Sequence, residues 1–199
     1  MKGSFDIKKA FPKLYRPGTE PALVTVPPQP YFIMDGQGEP GGEEYVQSVE
    51  ILYSLSYTLK MVYKEERWYR PFVVGPLEGV WTSWQEENRS LWKWSSMISQ
   101  PEFANNEIFS MVQEQCCFKK KLPAGLARFA ILEEGLCVTM LHIGPYSEEI
   151  RSFDEMEQFC QQNQIVRRNN EHREIYLSDP KKTEPAKLKT VLRFMVSRL

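Results

Sequence analysis

The residues with the clearest chemical potential lie near the C-terminus, in His172-Arg173-Glu174-Ile175-Tyr176-Leu177-Ser178-Asp179-Pro180. Side chains alternate along a strand, so Ile175 and Leu177 face one side of a sheet and Glu174 and Tyr176 the other. The first pair suits a hydrophobic core. The second sets a carboxylate beside a phenol, a pairing that suits a binding cleft. Burying an unpaired carboxylate is costly, so a covered Glu174 needs a purpose. An exposed strand face carrying a solvated Glu fits the same residues.

Aromatic side chains make up 13% of the sequence, and Trp68, Trp81, Trp84, Trp92 and Trp94 fall close together. Trp92 and Trp94 share a face if their segment is a strand, leaving Met97 on the other face to join a core. Tyr53 and Tyr57 are four apart and therefore neighbours on a helix, beside a stripe of Leu52, Leu55 and Leu59. Any one of these rings fits a core. Taken together they fit a cleft walled by aromatics with a carboxylate at its base. Such a cleft favours flat or cationic ligands, since a cation over a ring gains about 0.5–2 kcal/mol depending on desolvation. A buried carboxylate adds charge complementarity for a lipophilic cation.

The elements that must position these groups form a pattern read twice. In the first half, strands at 22–26 and 30–34 precede an Asp35-Gly36-Gln37-Gly38 turn, whose residues tolerate positive φ. A helix at 43–63 and strands at 77–83 and 92–98 follow. In the second half, strands at 126–132 and 136–143 precede Gly144-Pro145. Ser147 is then placed to cap a helix over 147–163, with Glu148 and Glu149 in its first turn. Ile150, Phe153, Met156 and Cys160 form its apolar stripe. The Glu174 strand and a strand at 190–196 close that half. The order ββαββ occurs twice, as a repeat of pattern with slight identity.

This predicts an α+β fold of two ββαββ halves related by a pseudo-twofold. The sheet is antiparallel, with helices on one face and a central ligand cleft on the other. Ile175 and Leu177 are expected to pack toward the helices. Residues 1–20 read as an N-terminal arm and 21–199 as one domain: a first half at 21–100, a connector at 101–123 and a second half at 124–199. The connector carries a helical stripe of Ile108, Met111, Val112 and Cys116 and ends in Lys119-Lys120-Lys121. Cations suit a helix C-terminus, and a phosphate-binding patch is the other use of such a run.

Net charge is −1 from 25 basic and 26 acidic residues, which gives no footing for nucleic acid or an anionic membrane as partner. Cys116, Cys117, Cys137 and Cys160 lack disulfide-framework or C-x-x-C spacing. With only His142 and His172 beside them, no metal site is expected, and no cofactor motif is present. No run approaches the roughly 18 apolar residues of a membrane span, and the N-terminus has no apolar leader. A cytoplasmic location is expected. Nothing in the chain specifies an oligomeric state.

Several segments carry a family resemblance. They are Met34-Asp35-Gly36-Gln37-Gly38-Glu39-Pro40, Leu52 through Lys60, Pro76-Leu77-Glu78-Gly79-Val80-Trp81, Leu141-His142-Ile143-Gly144-Pro145-Tyr146, Glu174 through Pro180, and Leu188-Lys189-Thr190-Val191-Leu192. In order and reach, the chain resembles the GyrI-like small-molecule-binding proteins built from two SHS2 modules, and within them the stand-alone bacterial group. Arg173 stands where that family typically has a second His, which bears on charge near the acid. Thr82 stands where a second Trp is common, which bears on one pocket wall.

The resemblance implies a pocket for hydrophobic, often cationic compounds, in the manner of multidrug binding and xenobiotic detoxification. Glu174 would lie in that pocket with Tyr146 nearby. Glu174, Tyr176, Tyr146, Tyr53, Tyr57, Trp81, Trp92 and Trp94 are the expected ligand contacts. Some stand-alone members hydrolyse strained cyclopropane-containing compounds. A hydrolase is therefore the alternative to a binding protein, with Glu174 as general base and a tyrosine, Tyr146 among them, as donor. A protein-interaction role, such as the gyrase inhibition that names the family, is the third.

Overall fold

The computed structural model describes residues 3–83 and 88–198. In chain order the elements are α1 (Ile7–Ala10), α2 (Pro12–Tyr15), β1 (Ala22–Val26), β2 (Gln29–Gln37), α3 (Glu43–Val62), β3 (Leu77–Ser83), β4 (Lys93–Ser99), α4 (Asn106–Lys120), β5 (Arg128–Leu132), β6 (Gly135–Ile143), α5 (Glu149–Gln162), β7 (Ile165–Arg167), β8 (His172–Tyr176) and β9 (Lys189–Arg198). The fold is α+β, and all strand pairings within its nine-stranded sheet are antiparallel.

Strand order is β1-β6-β9-β8-β3-β4-β2-β5, with β7 beside β9. Exchanging each strand of one half for its counterpart in the other reverses this list without changing it, so the connectivity repeats. The opening strands are exchanged between halves: β1 pairs with β6, and β5 with β2. Only residues 27–28 separate β1 from β2, yet β1 ends the strand order on the side away from β2. So short a link forces the sheet to curl until its ends approach. Pro27-Pro28 supplies the extended break.

The two faces of the curled sheet follow from register. One cross-strand row runs Met34, Ser96, Gly79, Glu174, Leu192, Met140. Met34 belongs to the core under α3 and α4, with Ile51, Leu52, Leu55 and Val112. Met140 and Leu192 belong to the core under α5, with Met156 and Cys160. The row one residue away runs Ile33, Met97, Glu78, Ile175, Val191, Leu141, on the inner face. Ile175 and Leu177 pack there against Ile7, Phe11, Leu14 and Tyr15. The expectation that Ile175 and Leu177 face the long helices is therefore corrected. They face the N-terminal arm, and Glu174 shares its face with α3 and α5. The arm itself is two one-turn helices with Tyr15 fully buried, not an extended segment.

Two other local readings change. Asp35, Gly36 and Gln37 continue β2 instead of turning, and Asp35 pairs with Arg128 at 2.7 Å. Ser147 lies in a 3₁₀ turn, Tyr146–Glu148, so α5 starts at Glu149 without a side-chain cap.

The inner face holds four charges, three of them buried and the fourth, Glu134, half-buried. Arg173 and Arg193 are directly opposed on β8 and β9, an arrangement that destabilises a sheet unless countered. Glu134, from the turn between β5 and β6, bridges them at 2.7 Å to each. Arg173 also meets Glu78 at 2.8 Å, and Tyr15 donates to Glu78 at 2.7 Å. Burial pushes the Glu134 carboxyl up, but the two guanidiniums outweigh it and hold the group below its ordinary value. Breaking a buried ion pair from one side leaves an uncompensated charge. Arg173→Met should lower unfolding free energy in urea titrations by about 3–5 kcal/mol. Adding Glu78→Gln should recover part of that loss, and a single variant as stable as wild type would show the quartet to be dispensable.

Candidate functional site

Glu174 sits mid-row on β8, where the sheet passes from the α3 core to the α5 core, and is only 9% exposed. Its neighbours on the same strand do the polar work: residues two apart share a face. Tyr176 donates to Glu174 Oε2 at 2.8 Å, and His172 Nε2 lies 3.0 Å from Oε1. A carboxylate at that position accepts both bonds, so His172 Nε2 carries the hydrogen. Opposite Glu174 on β3 is Gly79. A Cβ there would meet Tyr176 Oη at 3.2 Å and Trp81 Nε1 at 3.3 Å, so glycine leaves the room in which these two groups approach each other, 3.4 Å apart.

Rings close over this polar group. Tyr45, in the first turn of α3, stacks on Trp81 with centroids 6.0 Å apart and meets Trp94 edge-on at 5.2 Å. Trp81 meets Trp92 edge-on at 5.7 Å, and Tyr146 meets Tyr176 at 6.0 Å. Trp94 lies across Gly36, where any side chain would run into the indole. That clash explains a glycine inside β2 better than a turn does. Trp81 and Trp94 are nearly fully buried, whereas Tyr146 is 40% exposed and forms the outer edge.

A second carboxyl joins the first. Glu149 opens α5 and is 7% exposed, and its Oε1 has no hydrogen-bond partner among the described residues. Burial, and then the charge of Glu174, push its pKa up to about 9. The His142-Ile143-Gly144-Pro145-Tyr146 segment delivers it. His142 Nδ1 lies 2.9 Å from Ser152 Oγ on α5, and Nε2 lies 3.2 Å from the Pro145 carbonyl, which ties the turn to the helix. Gly144, at φ +146°, adopts a conformation that side-chain-bearing residues avoid. Burial chiefly pushes the Tyr45 and Tyr146 phenols up to about 12, and raises Tyr176 well above its ordinary value, with Glu174 adding to each.

Of the residues expected from sequence, Glu174, Tyr176, Tyr146, Trp81, Trp92 and Trp94 come together. Tyr53 and Tyr57 lie two turns or more beyond Tyr45 on α3 and pair with each other, centroids 6.3 Å apart. Tyr57 is 48% exposed. Trp84 lies outside the described residues. Arg173 points to the opposite face, so it sets no charge beside Glu174. His172, Tyr45 and Glu149 are added by the structure. The helical stripe Phe153, Met156, Cys160 extends back to 149, so its spacing already placed a glutamate on a buried face. Two surface hollows, about 780 Å³ beside Tyr63 and Phe118 and about 460 Å³ beside Phe11 and Leu23, contain none of these residues.

Comparison with known proteins decides the family. The family model for the GyrI-like small molecule binding domain matches residues 19–197. The chain belongs to the GyrI-like family. An uncharacterized conserved protein from Listeria innocua is similar at 38% identity, covering 98% of this chain and 100% of its own, with a TM-score of 0.92. A hydrolase from Listeria innocua is similar over the same shares at 38% identity and a TM-score of 0.91. The EcmrR C-terminal domain shares the fold at 16% identity, covering 90% of this chain and 98% of that domain, with a TM-score of 0.59. No curated protein matches.

The candidate site therefore sets a second buried carboxyl, Glu149, within electrostatic reach of Glu174. Among the described residues no group of three or more His, Cys, Asp or Glu is placed to hold a metal ion, and no helix is long and apolar enough to cross a membrane. The raised Glu149 gives a stability signature. The folded chain keeps a proton that the unfolded chain releases in the ordinary carboxylate range. The resulting stability is whole below that range and is lost as pH rises through about 9. Glu149→Gln removes this dependence. Relative to wild type, the variant should gain about 2–4 kcal/mol between pH 5 and pH 8 in denaturant titrations. A difference that stays constant with pH would place Glu149 in the ordinary range.

Proposed function

We propose that this protein binds a flat, hydrophobic small molecule against its aromatic site and hydrolyses it, with Glu174 as the general base that activates water. The observation that carries the reading is the anchoring of Glu174. Its two oxygens are fixed from opposite sides by His172 and Tyr176, and rings exclude bulk water around it. Each carboxylate oxygen keeps a further lone pair for a water proton. A base held this way meets the geometric demand of proton transfer, a group within hydrogen-bond reach and in one orientation. The Listeria innocua relatives that are hydrolases match over their whole length at 38% identity, which supports the same activity here.

The substrate class is the one the family resemblance implies, strained cyclopropanes, which are electrophiles that an activated water can open. Detoxification of such compounds is the physiological role this reading favours. Binding without turnover is the second reading, supported by the stacked Tyr45–Trp81 pair beside a carboxylate, a surface for lipophilic cations.

The two readings part at Glu174→Gln, which keeps size and removes charge. With a spirocyclopropyl cyclohexadienone, whose opening to a phenol is followed by absorbance, wild type should turn over many times. The variant should lose roughly 10²- to 10⁴-fold in kcat. Its affinity for a planar cationic dye should fall by about 1–3 kcal/mol in fluorescence titrations. Wild-type rates no faster than buffer and the variant, with the dye preference intact, would leave sequestration as the function.

A further inference from the structure

We infer that Glu149 is the proton donor of this site, a neutral carboxylic acid presented by the first turn of α5 to the same ring-lined space as the Glu174 carboxylate. The inference rests on the hydrolase reading and goes beyond it by giving the second half of the reaction to a residue that the fold alone does not single out.

Elimination among the nearby groups leads to it. Both oxygens of Glu174 are engaged, and His172 is bound to one of them. His142 is spent on Ser152 and the Pro145 carbonyl. Tyr176 already donates its proton to Glu174, and Tyr45 and Tyr146 hold theirs up to about 12. Glu149 is buried with one oxygen unpartnered. It also gives up its proton about three units more readily than those phenols. Glu174 on β8 and Tyr146 on the preceding turn interact electrostatically with Glu149, Thr190 on β9 acts on it in the opposite sense to burial, and His172 on β8 holds Glu174 Oε1 and packs against Phe153 of α5. Arg167 on β7 is paired with Glu157, two turns along the helix. Burial first and the neighbouring Glu174 second disfavour the anion at Glu149, so the proton stays on this carboxyl.

The chemistry balances. Glu174 takes a proton from water as the water oxygen bonds to a cyclopropane carbon. The strained carbon–carbon bond breaks, and its electron pair moves through the dienone onto the carbonyl oxygen. That oxygen takes the proton of Glu149. The product is substrate plus water, and solvent exchange moves the proton from Glu174 back to Glu149.

The test uses the full chain, the same spirocyclopropyl cyclohexadienone and a dichloro analogue whose phenol product is more acidic. Wild-type kcat should fall on the alkaline side as Glu149 ionises near pH 9. Glu149→Gln should lose roughly 10²-fold in kcat on the parent compound and lose that alkaline fall as well. On the dichloro analogue the loss should shrink to roughly 10-fold or less, because a better leaving oxygen needs less help. Glu149→Asp, which keeps the acid on a shorter stem, should retain the alkaline fall at reduced rate and guards against a folding defect in the Gln variant. Equal losses on both compounds would make Glu149 a packing residue and overturn the inference. So would an undiminished Gln variant, with the hydrolase reading left standing. A wild type that opens neither compound faster than buffer would overturn both together.

Discussion

The structure depends on one strand pairing, β3 with β8, which joins the two halves of the sheet. Strand alternation makes each residue along this seam choose a face, and successive residues choose opposite ones. Arg173 therefore goes inward to Glu78 and Glu134, while Glu174 goes outward to His172 and Tyr176. A slip of one residue would exchange them, placing a guanidinium among the rings and a third carboxylate among the inner charges. The inner quartet thus acts as a register key. Buried ion pairs add little net stability over apolar packing, but they penalise every arrangement that breaks them.

The elements were largely legible in the sequence because their periods are strong. Both long helices, the connector helix and eight of the nine strands lie close to where residue alternation and helical stripes put them. Three features were hidden for physical reasons. The exchange of β1 and β5 between halves depends on curl, which a local pattern does not carry. The arm has no period because its turns are one-turn helices held by Tyr15 and Glu78, contacts remote in sequence. The side of the sheet taken by the long helices is hidden because Ile175 and Leu177 do face a core, only a different one.

At the candidate site, alternation along β8 puts Glu174 and Tyr176 on one face, and the dense tryptophans of β3 and β4 lie beside them. Glu149 is hidden because a glutamate in the first helical turn has an ordinary explanation in the helix dipole. His172 shares a face with Glu174 two residues away, but a lone histidine on a strand carries no signal of its own. In both cases the chemistry lay in residues with a bland local reading, and only the register across β8 and α5 made them neighbours.

The dipole explanation and the buried acid act on Glu149 in opposite directions, and their sizes decide its state. A helix N-terminus favours an anion by about 0.3–1 kcal/mol at exposed sites and about 2 kcal/mol in partly buried ones. A carboxyl moved from its ordinary value to about 9 is disfavoured as an anion by several kcal/mol, since each unit is about 1.4 kcal/mol. Burial and Glu174 win in the resting site, so the proton stays. The balance changes during a reaction in which Glu174 takes a proton from water. Its charge disappears as Glu149 is asked to ionise, and the dipole of the α5 start then favours the new carboxylate without that repulsion. The two acids are coupled so that protonating one lowers the cost of ionising the other. A base fixed on a strand and an acid fixed on a helix start can in this way exchange roles without either leaving its place.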